Sequence, residues 1–258
     1  MEIPSASTNQ IKRWRKLLMS KYRKRENLFL AEGERCVEQI LQNGIIHVKE
    51  VVLVESASVS GQIQNSDTDI FSVSERELSE FTDTANPQGV VAVCEIPEES
   101  DPAALMSTSG TILAIDALQD PGNLGTVIRT ASWFGINGLL IGRGTVDPFH
   151  PKVVRSTAGA TGAIPHLSGD LESMIESFEE AGWPVQLLDA GADSKPIQSI
   201  KPGERTLLVV GNEANGINPN LFNEKRKRVR IDGDSGFVES LNAAVACSIA
   251  MFQLESYR

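Results

Sequence analysis

Several features that would define a function directly are missing from this 258-residue chain. Its three cysteines form no C-x-x-C pair and its three histidines show no ligand spacing, so we expect no metal site. G-x-G-x-x-G, Walker A and G-x-S-x-G sequences are absent, which argues against dinucleotide-binding, P-loop and serine-hydrolase functions. The odd cysteine count predicts a cytoplasmic protein whose thiols are buried apolar fillers, namely Cys36, Cys94 and Cys247.

Long hydrophobic runs are missing as well. The longest nearly apolar stretch extends from Leu241 to Phe252, which is short of the about 20 residues that a transmembrane helix needs. The N-terminus lacks the basic-then-apolar order of a signal peptide, so we expect no membrane partner. With 41% hydrophobic and 22% charged residues the composition is globular, and the length fits one large domain or two.

The chain has too few basic residues to balance its acids, and its formal net charge is −10. That value argues weakly against nucleic acid as a partner. The basic residues are segregated, however, because residues 12–25 hold eight of them and residues 225–230 hold five, with no acid in either stretch. A basic patch concentrates phosphate-bearing ligands whatever the net charge.

Each basic stretch allows two interpretations. In residues 12–25, charge density favours RNA contact, and Trp14 and Tyr22 are available to stack on unpaired bases. The alternative is a helix with solvated lysines outside and a buried stripe of Trp14, Leu17, Leu18 and Met19. Residues 225–230 suit nucleic-acid contact and a basic edge strand equally well. The candidate RNA-binding residues are Lys12, Arg13, Arg15, Lys16, Lys21, Arg23, Lys24 and Arg25.

Hydrophobic periodicity predicts a small α/β domain over residues 1–97 and a second α/β domain over residues 111–258. Residues 98–110 have the proline, acid and serine composition of a linker. The first domain has predicted helices at 8–20, 33–42 (stopped by Gly44) and 74–81, and strands at 27–32, 48–55, 69–73 and 89–96. The second has predicted strands at 111–116, 138–142, 184–190, 206–211 and 228–231, and helices at 124–134, 153–160, 171–181 and 240–254.

The alternation of short apolar strands with helices in the second domain predicts a parallel sheet covered on both faces. Ligands bind beyond the carboxyl ends of such strands. In the loop at 116–135, helix capping would explain Asn123, but Arg129 lies on a helix otherwise suited to burial. Arg129 is therefore either a structural ion-pair partner or a guanidinium that binds phosphate or carboxylate.

Two further loops carry polar residues at strand ends. In residues 209–219, Gly211 permits close backbone approach to a ligand, and Glu213 is placed to orient a substrate, although a plain turn has similar glycines. In residues 230–250, Ser240 is explained as a helix N-cap, whereas Asn242 needs another reason.

These three loops together resemble the SpoU (TrmH) family of SPOUT methyltransferases. The similar segments are DPGNLGTVIRTA (120–131), KVVRSTAGA (152–160), GNEANGI (211–217), ESLNAAVA (239–246) and, in the first domain, KYRKRENLFLAEGERCVEQIL (21–41). The resemblance covers nearly the whole chain. One departure is Ile231-Asp232, where the family usually has Ile-Pro.

The resemblance implies a C-terminal trefoil-knotted, parallel-sheet methyltransferase domain, a smaller N-terminal α/β RNA-binding domain, and a homodimer packed through helices. It implies S-adenosylmethionine as cofactor, with Gly211, Ile231 and Leu241 as cofactor-contacting residues. It also implies a catalytic set of Asn123, Arg129, Glu213, Ser240 and Asn242.

The implied activity is methyl transfer to a ribose 2′-hydroxyl of RNA. The two-domain layout favours ribosomal RNA by analogy, and tRNA is the alternative substrate. A catalytically silent RNA-binding or assembly factor with the same fold is a further alternative, as is a small-molecule enzyme, which would show no salt-dependent affinity for RNA.

Overall fold

A computed structural model describes residues 3–57, 60–64, 66, 68–84, 87–200, 203–234, 236–237 and 240–256. The chain divides into two compact units: Met1–Glu98 with Asp147–Ala163, and Glu99–Val146 with Ile164–Arg258. Residues 147–163, predicted as part of the C-terminal domain, thus belong to the N-terminal unit. The apolar side chains of Phe149 and Val154 explain this, because they are buried in that unit's core.

The elements of the chain up to residue 98 are α1 (Thr8–Lys16), α2 (Ser20–Glu26), β1 (Leu28–Glu32), α3 (Glu34–Asn43), β2 (Val48–Val54), α4 (Gly61–Gln64), β3 (Asp69–Val73), α5 (Glu75–Leu78) and β4 (Val90–Glu95). The following helices are α6 (Pro102–Ser107), α7 (Pro121–Trp133), α8 (Pro151–Ser156), α9 (Leu171–Glu180) and α10 (Ala243–Glu255). The following strands are β5 (Gly110–Ile115), β6 (Gly138–Gly142), β7 (His166–Gly169), β8 (Val185–Leu188), β9 (Lys195–Pro196), β10 (Arg205–Val210) and β11 (Lys227–Arg230).

The described part of the N-terminal unit contains a four-stranded sheet in the order β1-β4-β2-β3. Alternate residues of its strands point to opposite faces, so Phe29 and Val51 enter one core while Leu30 and Val52 enter the other. The first core also takes side chains from α3 and from residues 147–163, and the second takes Trp14 from α1. Both faces of the sheet are therefore covered, which explains its nearly continuous apolar strands.

The predicted helix from Thr8 to Ser20 ends early, at Lys16, and a second helix begins at Ser20. The break has a physical cause in Arg23, whose guanidinium donates hydrogen bonds to the carbonyl oxygens of Leu17 and Leu18 at 2.8 and 2.9 Å. These carbonyls would otherwise accept within a continuous helix. The predicted stop at Gly44 is confirmed, because this residue closes α3 at a φ of 63°, which favours glycine.

The described part of the C-terminal unit contains a seven-stranded sheet in the order β7-β6-β5-β10-β8-β11-β9, and all its strand pairs are parallel. The predicted α/β class with a parallel sheet is confirmed. The predicted linker, 98–110, is not irregular throughout, because Asp101 caps α6 and Leu105 of that helix is buried. The periodicity gave no indication of β7 and β9, which are only four and two residues long.

The three cysteines are buried, as predicted. Burial raises the pKa of Cys36 to about 11 and that of Cys247 to about 12, and it raises the pKa of Cys94 further. Thiols with such pKa values carry little thiolate at neutral pH and are poor nucleophiles. We therefore assign them to packing.

Candidate active site

The candidate site is built on two central strands of the seven-stranded sheet. Strands β5 and β10 pair in parallel with Ile115 opposite Val210, so the loops that follow them start side by side. The loop after β5 carries the first motif, and the loop after β10 carries the second. This arrangement is the one expected for a ligand site at the carboxyl edge of a parallel sheet.

The first motif begins at an N-cap that is not Asn123. Asp120 caps α7 by accepting from the backbone N–H of Asn123 at 2.8 Å, and Pro121 occupies the first turn, where its missing N–H costs nothing. The helix therefore begins three residues before the predicted start at Leu124. Because Asp120 is the cap, the side-chain amide of Asn123 is free for another role.

The second motif folds back on itself. The backbone of Asn212 exchanges two hydrogen bonds with that of Gly216, at 2.9 and 3.0 Å. A Cβ on Gly211 would lie 2.3 Å from the backbone carbonyl carbon of Gly216. The close approach expected at Gly211 is thus an approach to the chain's own backbone. Any contact of this residue with a ligand is made by its main-chain atoms.

The third motif differs from its prediction at the helix start. Helix α10 begins at Ala243, and its N-cap is Asn242, whose Oδ1 accepts from the N–H groups of Ala244 and Val245 at 2.9 and 3.2 Å. The N-cap interpretation of Ser240 is therefore wrong, since this residue lies before the cap. Ser240 is exposed on the approach to the helix.

Side chains from all three motifs meet in one hydrogen-bonded series. Asn242 Nδ2 donates to Asn123 Oδ1 at 3.0 Å, and Asn123 Nδ2 donates to Glu213 Oε1 at 3.0 Å. The backbone N–H groups of Gln119 and Asp120 also point to the Glu213 carboxylate, at 3.4 and 3.3 Å. Three predicted catalytic residues that are far apart in sequence are thereby brought together.

The environment of Glu213 favours its charged form. Partial burial works to raise the pKa of this carboxyl, but hydrogen bonds from the Asn123 side chain and from backbone N–H groups outweigh it and lower the pKa. A carboxylate with a lowered pKa is a weak proton acceptor and a good hydrogen-bond acceptor. Its chemistry suits orientation of neighbouring groups better than removal of a proton.

Arg129 stands apart from this series. It follows Asn123 by six residues on α7, which corresponds to about 9 Å along the helix axis. Its side chain is exposed and makes no hydrogen bond or ion pair with any residue that the structure describes. Within those residues the ion-pair interpretation has no support, and the guanidinium is available to a ligand.

The basic residues of the N-terminal unit fall into two groups. Arg23 is 1% exposed, and its guanidinium is held by Asp147 at 2.6 Å and by two backbone carbonyls. The prediction that Arg23 binds RNA is wrong, because every nitrogen of the group already has an acceptor inside the fold. Trp14 is wholly buried and donates to Glu50 at 2.6 Å, so it cannot stack on a base.

Two further arginines have acidic partners. Arg13 pairs with Glu50, and Arg15 lies 3.6 Å from Glu80. The remaining candidates are exposed, and Glu26, the adjacent residue, is the ion-pair partner of Arg25 among the residues that the structure describes. None of the four lysines forms an ion pair with a described residue. We define the free basic surface as Lys12, Lys16, Lys21, Lys24 and Arg25.

The second basic stretch is largely neutralised within the C-terminal unit. Arg226 is 5% exposed and pairs with Glu179 at 2.7 Å. Arg228 pairs with Asp189 at 2.7 Å, and Arg230 pairs with Asp232 at 2.8 Å. Only Lys225 and Lys227 remain exposed there, so β11 is not a strongly basic surface.

The comparisons with known proteins agree with this geometry. Residues 110–252 match the SpoU rRNA Methylase family, and residues 8–92 match the MRM3-like substrate binding domain. The chain belongs to the SpoU methylase family. The family match covers the whole candidate site, whereas the substrate-binding match covers the free basic surface.

Two rRNA methyltransferases and one solved structure are similar to this SpoU family chain over at least 88% of its length. It is 36% identical to the 23S rRNA (guanosine(2553)-2′-O)-methyltransferase RlmP of Bacillus subtilis, over 98% of each chain. It is 27% identical to the 23S rRNA (guanosine-2′-O-)-methyltransferase RlmB of Coxiella burnetii, over 88% of this chain and 90% of the other. The AdoMet-bound rRNA methyltransferase of Sinorhizobium meliloti superposes with a TM-score of 0.85 at 30% identity, covering 100% of this chain and 98% of the other.

The site of this SpoU family chain offers surfaces that fit S-adenosylmethionine. Leu241 is apolar yet 45% exposed beside Asn242, and Ile231, after β11, is partly exposed. Exposed apolar side chains next to turn backbone suit a ligand with an adenine ring and a polar amino-acid end. Glu239 of the third motif lies outside the described residues.

Two residues that shape the site were not selected from the sequence. Asp116 is 8% exposed and accepts from the backbone N–H of Asn218 at 2.6 Å, which joins the first and second loops. Asn212 donates to the carbonyl of Ala117 at 2.7 Å and joins them again. The available signal was their position, since Asp116 directly follows β5 and Asn212 is the second residue after β10, where a polar side chain has loop backbone groups to satisfy.

Two further kinds of site are absent from the part of the chain that the structure describes. No helix there is long and apolar enough to cross a membrane. No group of histidine, cysteine and carboxylate side chains there has the arrangement of a metal site.

Proposed function

We propose that this chain methylates a ribose 2′-hydroxyl of ribosomal RNA, with S-adenosylmethionine as the methyl donor. The observation that carries the proposal is the series Asn242–Asn123–Glu213, which joins the three family motifs in one place. Support comes from RlmP, whose name states 2′-O-methylation of 23S rRNA and which matches the chain over nearly its full length. Ribosomal RNA is therefore favoured over tRNA.

Bound S-adenosylmethionine supplies a methyl group on a positively charged sulfur. Gly211 would hold it through main-chain groups, and Ile231 and Leu241 through apolar contact. The protein's own task is to place the 2′-oxygen correctly and to relieve it of its proton, and alignment alone supplies much of the rate.

Arg129 is the residue that we assign to the reacting ribose. A guanidinium stays protonated at neutral pH, so it does not act as a base. Its planar fork binds a phosphate through two parallel hydrogen bonds. We assign it to hold the phosphate beside the target ribose, where that phosphate can receive the proton.

The remaining catalytic candidates orient other groups. Glu213 keeps the amide of Asn123 turned so that its Oδ1 faces Asn242, and Asn242 fixes the start of α10. Ser240 does not cap α10, and we assign its side chain to contact with the ribose. These positioning roles explain why amides and a carboxylate with a lowered pKa make up the site.

The function is tested by mapping ribose methylation across total RNA in a strain that lacks the chain. The expected result is loss of one methylation in ribosomal RNA, restored by the wild-type chain. Loss confined to tRNA would contradict the substrate. Unchanged methylation, together with no heat on titration with S-adenosylmethionine, would indicate a catalytically silent RNA-binding factor.

The trefoil knot implied by the family resemblance belongs to the same proposal. Strand β10 lies between β5 and β8, while the later β11 lies between β8 and β9. Helix α10 follows β11 near the sheet edge but packs against α7. The chain thus returns repeatedly to elements that precede it in the sequence, as a threaded path requires. A crystal structure that traces residues 211–242 distinguishes a threaded from an unthreaded chain.

We further propose that two copies of the chain pair through α7 and α10. Trp133 is 85% exposed, and Val245, Ile249 and Phe252 on one stripe of α10 are 47%, 37% and 58% exposed. Such a patch marks an interaction surface, and a stripe that repeats at i, i+4 and i+7 can pack against its own copy.

Placing a charge on this stripe is expected to separate the copies. The wild type should sediment at twice the chain mass of 28.0 kDa, and a Val245→Asp/Ile249→Asp variant at the single mass. Ile45→Asp is the matched control, because Ile45 is 54% exposed in the other unit. A monomeric wild type, or a dimeric Asp variant, would contradict the pairing.

The free basic surface is proposed to bind RNA phosphates. A Lys21→Gln/Lys24→Gln/Arg25→Gln variant should bind RNA more weakly, with the slope of log affinity against log salt reduced by about 0.7 per lost contact on single strands. Affinity for S-adenosylmethionine should not change. Lys225→Gln/Lys227→Gln is the control, and an equal loss in both variants would assign RNA binding to the second stretch as well.

A further inference from the structure

One part of the free basic surface is organised around a single aromatic ring. The Lys21 ammonium lies 4.9 Å from the centre of the Tyr22 ring, the Arg25 guanidinium 4.7 Å, and the Lys16 ammonium 5.7 Å. Tyr22 and Arg25 share a face of α2 because they are three residues apart, and Lys16 reaches the ring from the end of α1. Three cations therefore converge on one side chain.

The positive charges around Tyr22 outnumber the carboxylates that pair with them among the described residues. Each cation gains a small attraction from the ring, but three positive charges that all lie within 5.7 Å of one ring centre also repel one another. Among the described residues, the only carboxylate paired with any of them is that of Glu26, which bonds Arg25 at 2.6 Å. Because Glu26 and Arg25 are both exposed, that pair exchanges readily for a stronger anion.

Tyr22 is the aromatic of the basic stretch that remains accessible. Trp14, the other candidate, is fully buried and bonded to Glu50. Tyr22 is only partly buried, and its hydroxyl has no hydrogen-bond partner among the described residues. The ring combines a stacking face with an edge that can donate to a nucleotide.

We propose that Tyr22 is a stacking platform for one unpaired nucleotide, with Lys16, Lys21 and Arg25 holding the phosphates on either side of it. The incoming base takes a face of the ring, and the cations turn on their flexible stems from the ring to the phosphates. The proposal rests on the proposed function, because it specifies which form of RNA the N-terminal unit takes. A base inside a duplex is already stacked on its neighbours and has no free face for the ring. The site therefore selects a single-stranded segment.

The test measures binding of fluorescein-labelled oligo(U) RNA by anisotropy, with no cofactor and no methyl transfer. Tyr22→Leu is expected to weaken binding about 5- to 150-fold, the range for loss of one base–aromatic stack. Tyr22→Phe keeps the ring and should bind nearly as the wild type does. The same strand annealed to oligo(A) should show no difference between Tyr22→Leu and wild type.

Two outcomes would overturn the platform. One is oligo(U) affinity in Tyr22→Leu equal to that of the wild type, with the melting temperature of both proteins unchanged. The other is an equal loss in Tyr22→Leu for single strand and duplex, which would indicate a general effect on the surface. Both outcomes are independent of catalysis, so failure of the methylation assay and failure of the platform are distinguishable.

Discussion

Replacing Arg129 with alanine is expected to lower kcat about 10²- to 10³-fold, the usual cost of removing one preorganised group that stabilises charge in a transition state. The side chain is exposed and has no partner among the described residues, so the fold loses nothing when it is truncated. The free energy of unfolding should stay within about 0.5 kcal/mol of the wild-type value. Single-turnover methyl transfer to the target RNA measures the first effect, and urea unfolding the second.

Arg129→Lys separates charge from geometry. Lysine keeps the positive charge but is a point charge, without the planar fork that grips a phosphate at two oxygens. We expect this variant to recover only a small part of the lost rate and to bind S-adenosylmethionine as the wild type does. Full turnover in Arg129→Lys would contradict both the phosphate-anchor role and the phosphate-mediated path for the proton.

Asn123 and Asn242 show how much of the site could be predicted from the sequence. Their presence beside short apolar strands indicated a ligand site at the edge of a sheet, and the family resemblance assigned them to catalysis. Local rules allowed each helix several N-caps, because Asp, Ser and Asn cap almost equally well. The structure assigns the caps to Asp120 and Asn242, and the contact between Asn242 and Asn123 spans 119 positions that no local rule connects.

The prediction of the fold was limited in the same way, because local sequence rules do not report contacts between distant residues. The periodicity predicted most of the longer strands and helices, because apolar spacing along the chain reports burial directly. It could not assign residues 147–163 to the N-terminal unit, since Phe149 and Val154 would look equally apolar in either core. The periodicity also could not distinguish the buried Arg23 from the solvated arginines, because the burial of Arg23 depends on its ion pair with Asp147, which is distant in the sequence.

Arg23 carries the second large prediction, which concerns stability. Arg23→Ala is expected to lower the free energy of unfolding by about 3–5 kcal/mol, the usual cost of breaking a buried ion pair by removing one partner. The substitution leaves Asp147 without its cation, and it leaves the carbonyls of Leu17 and Leu18 without donors at the break between α1 and α2. Urea unfolding followed by circular dichroism measures the change.

Arg15→Ala is the matched control, from the same basic stretch. Its side chain is 66% exposed and lies 3.6 Å from Glu80, so its loss should cost at most about 1 kcal/mol. Equal destabilisation by the two substitutions would contradict the structural role of Arg23.

The distinction also governs how RNA-binding variants are built, because neutralising Arg23 together with Lys21, Lys24 and Arg25 would weaken RNA binding through unfolding. Only a variant that keeps Arg23 reports on the surface itself.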